Sequence, residues 1–99
     1  MKVFVFDTET TGLPPRNQKP SKQNVRYWPN IVQYSSLVYD TDDKTFKTDD
    51  FIVKIPEHKT IPQESIDIHG ITNEIMRKKG TNIKIVLENF IENYNKCDI

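Results

Sequence analysis

The chain has 99 residues, with 14 Lys and Arg against 14 Asp and Glu, and a formal net charge of zero. That length holds one small domain at most, and the balanced charge excludes a generally basic nucleic-acid coat protein while leaving room for local basic patches. Hydrophobic residues make up 35%, below the roughly 45–50% of ordinary globular chains, so a thin core is expected.

The single cysteine, Cys97, cannot form an internal disulfide, which fits a reducing compartment and rules out a metal site built of cysteines. No apolar run reaches the about 18 residues of a membrane span, and no basic-then-apolar leader opens the chain. A soluble, intracellular protein with no membrane partner is expected. Any metal would sit on oxygen or imidazole.

Residues 2–6, Lys-Val-Phe-Val-Phe, read as a largely buried strand, being β-branched and aromatic and too short for an ordinary helix. Polar residues and Gly12 break it. The proline-rich segment 14–29 follows, carrying Arg16, Lys19, Lys22 and Arg26 but no acid, a basic loop of unusual length for a compact domain. Its default role is a solvated loop; beside a nucleic-acid site it would contact phosphates, with Tyr27 and Trp28 available for stacking. Burial at the start of the next strand is the more ordinary place for Trp28.

Ile31 to Tyr39 is a second strand, followed by the turn cluster Asp40–Lys44. Phe51 to Ile55, extending back towards Phe46, is the return strand of a hairpin and stops at Pro56. From Pro62 the period changes: Ile66, His69, Ile71, Ile75 and Met76 predict short helical pieces interrupted at Gly70, with Thr72 as N-cap of a helix ending at Gly80. Thr81 would cap the next helix. There Ile83, Val86, Leu87, Phe90, Ile91 and Tyr94 recur at 3–4 spacing, the best amphipathic pattern in the chain. The chain then reaches Lys96–Ile99 where a further strand would begin, so a truncated domain is expected.

The chemically informative stretch is Phe6-Asp7-Thr8-Glu9-Thr10-Thr11-Gly12-Leu13. Side chains two apart on a strand share a face, with Cα atoms about 6.5–7 Å apart, so Asp7 and Glu9 can converge on one cation. A carboxylate pair with hydroxyls and open backbone suits Mg²⁺ or Mn²⁺, which take oxygen ligands and keep waters for a substrate. Two acids in a solvated strand-end turn are the plain alternative.

The longer string decides between them. Asp-Thr-Glu-Thr-Thr-Gly-Leu after an N-terminal apolar strand resembles the first motif of the DEDD, or DnaQ-like, 3′→5′ exonucleases. Ile68-His69-Gly70-Ile71-Thr72 resembles the element found in that family after its third strand. The resemblance covers essentially all of residues 1–99 apart from the basic loop 14–29, and it implies an α/β, ribonuclease-H-like fold. The chain would be the N-terminal portion of a single exonuclease domain, a three-stranded antiparallel meander followed by helices.

The resemblance further implies two Mg²⁺ or Mn²⁺ ions in a complete site, Asp7 bridging both and Glu9 binding the one that activates the attacking water. Thr8, Thr10, Gly12, Leu13, Ile68 and His69 are its implied substrate contacts. The main chain around Thr10 would meet the 3′-hydroxyl, Leu13 would pack on the terminal base, and Ile68 and His69 would line that nucleotide's pocket. The partner would be a single-stranded or frayed 3′ end of DNA, or RNA.

The family's third and fourth acids and its base have no counterpart in this sequence. Asp98 precedes the expected strand rather than following it, His58 lies outside the pattern, and His69 is not at the base position. Residues 1–99 are therefore expected to be inactive alone and to self-associate through an exposed sheet edge. Two other readings stand beside this one. A degenerate remnant would bind nucleic acid or a partner without catalysis, independently of metal. A haloacid-dehalogenase-like phosphatase would have aspartate in place of Glu9 and a helix in place of Pro14–Pro15.

Overall fold

The computed structural model describes residues 1–99. Three long strands, β1 (Lys2–Thr10), β2 (Ile31–Asp40) and β3 (Thr45–Lys54), form an antiparallel meander. Helices α1 (Gln63–His69) and α2 (Asn73–Lys79), the short strand β4 (Thr81–Asn82) and helix α3 (Ile83–Lys96) follow. The sheet order is β1-β2-β3-β4, with β4 parallel to β3 through Val53–Thr81 and Lys54–Asn82.

The strands form where β-branched and aromatic residues are dense, and β1 runs four residues past the apolar segment through the Asp7–Thr10 motif. Gly70 stops α1 in the left-handed region at φ 75°, which its missing Cβ permits. Thr72 caps α2, its Oγ1 accepting from the Ile75 N–H at 3.1 Å. Gly80 has an ordinary φ of −67°, and what it supplies is closeness: a Cβ there would stand 2.9 Å from the Lys54 nitrogen.

The expected three-stranded sheet thus carries a fourth, two-residue strand. Thr81 is paired into it, and the cap of α3 passes to Asn82, whose Oδ1 accepts from the Lys84 N–H at 2.8 Å.

Two small clusters make the core. Val32, Ile55, Ile61, Ile71 and Met76 seat α1 and α2 at one end of the sheet. Tyr34, Val53 and Val86, flanked by Phe4, Phe51 and Phe90, seat α3 on one face. Phe90 is central there, 5.5 Å from Phe4 and 4.9 Å edge-on from Phe6. Asn89 ties the same helix to both neighbouring strands, accepting from the Tyr34 hydroxyl and donating to Asp49.

Only 11 residues are buried, as the composition implies. The first strand is less covered than its sequence predicts: Val5 is 56% and Phe6 50% exposed. Alternate β1 residues face α3, which covers Phe4 well and Phe6 partly, while the opposite face lies open at Val5. In α3 the same incomplete cover buries Val86 and leaves Leu87, Ile91 and Tyr94 exposed.

At the outer edge of β1 the Phe4 N–H donates to the Ile99 carbonyl at 2.7 Å, and the Ile99 N–H reaches the Lys2 carbonyl at 3.4 Å. That is the pattern of a parallel ladder about Val3 and Ile99. No helix is long and apolar enough to cross a membrane.

Candidate active site

Asp7 and Glu9 lie opposite Ser35 and Gln33 of β2, and Ser35 lies opposite Asp50 of β3. Directly opposed residues point to the same face, so these five side chains form a polar band on the face away from α3. Ser35 Oγ donates to Asp50 Oδ1 at 3.0 Å and Gln33 Nε2 to the same oxygen at 3.2 Å. Asp50 stands two strands from Asp7, about 9–10 Å at the usual strand spacing, too far to share one small cation with it. Consistent with this, no three His, Cys, Asp or Glu side chains in the chain are grouped to hold a metal ion.

Asp7 is exposed, Glu9 half-buried, and neither forms an ion pair. One Asp7 oxygen accepts from the Thr8 N–H at 2.9 Å, leaving the other carboxylate oxygen free. The register shifts immediately after Glu9: Glu9 opposes Gln33 but Thr10 opposes Ile31, so Val32 is the extra residue of a bulge. Bulges sharpen the local twist and re-aim side chains, and Val32 anchors this one by being wholly buried.

A cavity of about 220 Å³ opens beside Glu9, lined by Thr10, Gly12, Leu13, Ser65, Ile68 and His69 as well. Six of the eight residues singled out in the sequence therefore meet on one wall. Asp7 lies outside it, in a shallow depression with Ser35 and Asp50. Thr8 opposes buried Tyr34, which puts its side chain on the α3 face, so only its main chain can serve a ligand on the Asp7 face.

The cavity wall is held by short local bonds. Thr10 Oγ1 donates to the Gly12 carbonyl at 2.7 Å, and Ser65 Oγ of α1 donates to the Thr11 carbonyl at 2.8 Å. Leu13 and Ile68 project into solvent, 92% and 82% exposed. Single exposed apolar residues are ordinary, but two on the rim of one polar cavity give an aromatic ring a surface to rest on.

His69 Nδ1 accepts from the Ile71 N–H at 3.0 Å, which places the ring hydrogen on Nε2 in the neutral form. That Nε2 is buried and has no partner within the chain. An acceptor from a ligand in the adjoining cavity would satisfy it.

Several parts of this region carry no signal in the sequence. Thr11 and Asn30 bridge the two ends of the basic loop, and Lys59 Nζ donates to the Arg26 carbonyl and to Asn30 Oδ1 at 3.3 and 3.2 Å. Arg77 donates to the carbonyls of Ile55 and Lys59 at 2.7 and 2.6 Å, fixing the loop that presents Lys59. Each joins residues remote in the chain, with main-chain acceptors that no side-chain pattern reveals.

An antiparallel meander continued by helices, with a carboxylate pair at the exit of its first strand, is a ribonuclease-H-like α/β arrangement. Solved structures share it. Cell-death related nuclease 4 (CRN-4) matches over 99% of this chain and 31% of its own, with a TM-score of 0.63 at 18% identity. Exonuclease I of E. coli, in complex with a dT13 oligonucleotide, matches over 82% and 15%, with 0.61 at 20% identity. A full-length 3′-exonuclease matches over 92% and 28%, with 0.62 at 16% identity. The chain spans less than a third of the length of each.

No curated relative matches in sequence. The family model described as "Exonuclease", of the RNase T type, matches residues 4–99. The chain belongs to that exonuclease family.

Proposed function

We propose that this chain carries the metal-binding first strand and the 3′-terminal nucleotide pocket of a metal-dependent 3′→5′ exonuclease of the DEDD type. The observation that carries the reading is the pair Asp7 and Glu9: two carboxylates on one strand face, neither in an ion pair, with Glu9 on the wall of a cavity of about 220 Å³. Mg²⁺ and Mn²⁺ are commonly held by one or two carboxylates, with water and substrate phosphate oxygens completing the shell, and this donor set fits that habit. A pair of such ions supplies an activated water and charge stabilisation at the leaving oxygen of a phosphodiester.

The chain's own residues bind and orient the end of a strand. The terminal base rests on Leu13 and Ile68, His69 Nε2–H donates to an acceptor of the same nucleotide, and the main chain near Thr10 takes the 3′-hydroxyl. That end belongs to DNA or RNA in single-stranded or frayed form. Residues 1–99 contribute two of the four acids the family uses and no base, so they bind a 3′ end without cutting it.

The test is binding of a fluorescent single-stranded oligonucleotide with and without Mn²⁺. Metal-dependent binding, stronger for a 3′-hydroxyl end than for a 3′-phosphate end and lost in Asp7→Ala, is expected, with no product formed. Binding that persists in EDTA and ignores the 3′ end would establish the metal-independent remnant instead. Metal-dependent cleavage by residues 1–99 would overturn the claim of inactivity.

A further inference from the structure

A second cavity, about 330 Å³, lies on the other side of Gly12 and Leu13 from the Glu9 cavity. Both have these two residues in their walls, so Leu13 stands as a partition between neighbouring compartments. The second compartment is built from the end of the basic loop together with Lys59, Thr60 and Pro62, and none of its loop residues belongs to the two motifs that carry the resemblance to the exonucleases. Its distinctive walls are Arg26, Tyr27, Trp28 and Lys59.

The chemistry of these walls is one-sided. Two cations line the cavity with no carboxylate, and neither Arg26 nor Lys59 forms a salt bridge anywhere in the chain. Lys59 spends two donors on neutral oxygens, which fixes its place but leaves its charge uncompensated. Tyr27 is 68% exposed, with the Arg26 guanidinium 4.8 Å from its ring centre. The Trp28 indole N–H is buried and has no acceptor. An anion joined to a flat ring answers the uncompensated cations and the exposed Tyr27 ring, and a nucleotide is such a group. The volume sits at the small end of the about 300–1,000 Å³ of small-molecule sites, room for one nucleotide.

The loop is shaped before any ligand arrives. Ser21 and Asn24 exchange bonds, with the Ser21 N–H donating to Asn24 Oδ1 at 2.9 Å, and Val25–Tyr27 forms a 3-10 turn. Thr11 and Asn30 close its neck. Arg26 and Tyr27 are therefore presented from a folded loop with tied ends.

We propose that this compartment holds the nucleotide preceding the 3′-terminal one, its base stacked on Tyr27 and its phosphate between Arg26 and Lys59. The inference rests on the function proposed above, since the Glu9 cavity must take the terminal nucleotide for its neighbour to fall here. It gives the 14–29 loop a role in gripping single strands.

Mn²⁺-dependent binding of dTMP and of a thymidine hexanucleotide tests it, in the wild type, Tyr27→Ala, Tyr27→Phe, Arg26→Ala and Asp7→Ala. Tyr27 and Arg26 are exposed, so their replacement leaves the fold intact, and the melting temperature verifies this. Each alanine variant should weaken the hexanucleotide by at least about fivefold, the lower end of one lost stacking partner, and leave dTMP unchanged. Tyr27→Phe should retain wild-type affinity, and Arg26→Ala should reduce the salt slope by about one.

A hexanucleotide affinity unchanged in both alanine variants, while Asp7→Ala still abolishes binding, would overturn the compartment and leave the function standing. Equal loss of dTMP and hexanucleotide in Tyr27→Ala would also overturn it. Undiminished binding in Asp7→Ala would instead remove the function, and the inference with it.

Discussion

Thr11 and Asn30 are locked to each other across 19 positions of sequence: the Thr11 N–H donates to the Asn30 carbonyl at 2.9 Å, and the Asn30 N–H donates back to Thr11 Oγ1 at 3.0 Å. Thr11 also accepts from Ser65 of α1, so one residue gathers the end of β1, the neck of the basic loop and the helix that carries Ile68 and His69. The two compartments meet at this point because the residues after it, Gly12 and Leu13, belong to both.

Thr11→Val removes the hydroxyl and strands the half-buried Asn30 N–H. A loss of about 1–2 kcal/mol is expected, as for an unsatisfied donor. Hydrogen exchange should localise it: amides at 24–30 speed up while those of β2 beyond Val32 do not. Exchange unchanged across 24–30 would show that the neck is held without this bond.

Arg77 spreads its guanidinium over the carbonyls of Ile55, Pro56, Glu57 and Lys59, at 2.7, 3.2, 3.4 and 2.6 Å. Arg77→Ala should destabilise the chain by roughly 2 kcal/mol, the scale of a lost charge-assisted bond. Arg77→Lys should fail to restore it, because a point ammonium cannot span carbonyls that a planar fork can. Denaturant melts of the two variants check this, and full rescue by lysine would mean that charge alone matters.

Gly80 ends α2 against the Lys54 main chain, and an added Cβ would lie 2.9 Å from the Lys54 nitrogen and 3.0 Å from its Cα. Backbone atoms cannot swing aside as a side chain does, so Gly80→Ala should cost about 1–3 kcal/mol by overpacking. Loss of the β3–β4 pairing should accompany it, visible as faster exchange at Thr81. A melting temperature at or above that of the wild type would contradict the close approach.

Acid loosens the hairpin between β2 and β3. Asp40 Oδ1 accepts from the Asp42 and Asp43 N–H groups at 2.9 and 3.4 Å, and chiefly the Asp42 bond holds its carboxyl below the usual carboxylate range. A lowered folded value means the stabilisation is complete above the unfolded pKa and is lost as pH falls through the folded one. At the same end the Met1 ammonium, bonded to Asp42 at 3.1 Å, is raised, so its contribution is complete below its ordinary value and disappears as pH rises through the folded one. NMR titration of the Asp42 amide should show a step on the acid side that is missing in Asp40→Asn. A step of equal size in Asp40→Asn would assign it to another group.

Much of the frame is legible in the sequence, for local reasons. Val3–Phe6, Ile31–Tyr39 and Phe51–Val53 are dense in strand formers, and Gly70 and Thr72 mark helix ends by backbone chemistry that needs no tertiary partner. What depends on distant residues is not legible. Two residues of β4 exist because Val53 and Lys54 lie beside them, and pairing there moves the helix cap from Thr81 to Asn82. Half-exposed Phe6 and exposed Leu87 look like core in a linear pattern, and only the extent of the facing surface shows that they are not. In the site, the spacing of Asp7 and Glu9 follows from strand periodicity, while the second compartment needs Gly12, Arg26 and Lys59 to come together from three segments.

The central claim is that Asp7 and Glu9 hold a divalent cation, and a Mn²⁺ titration followed by electron paramagnetic resonance tests it most directly. The account predicts a weak site that Asp7→Asn and Glu9→Gln each weaken by at least about tenfold, the smallest loss seen when even an indirect partner of a metal is removed. Both variants should melt with the wild type, since neither side chain forms an ion pair in the fold. Mn²⁺ bound equally by the wild type and both variants would contradict the account.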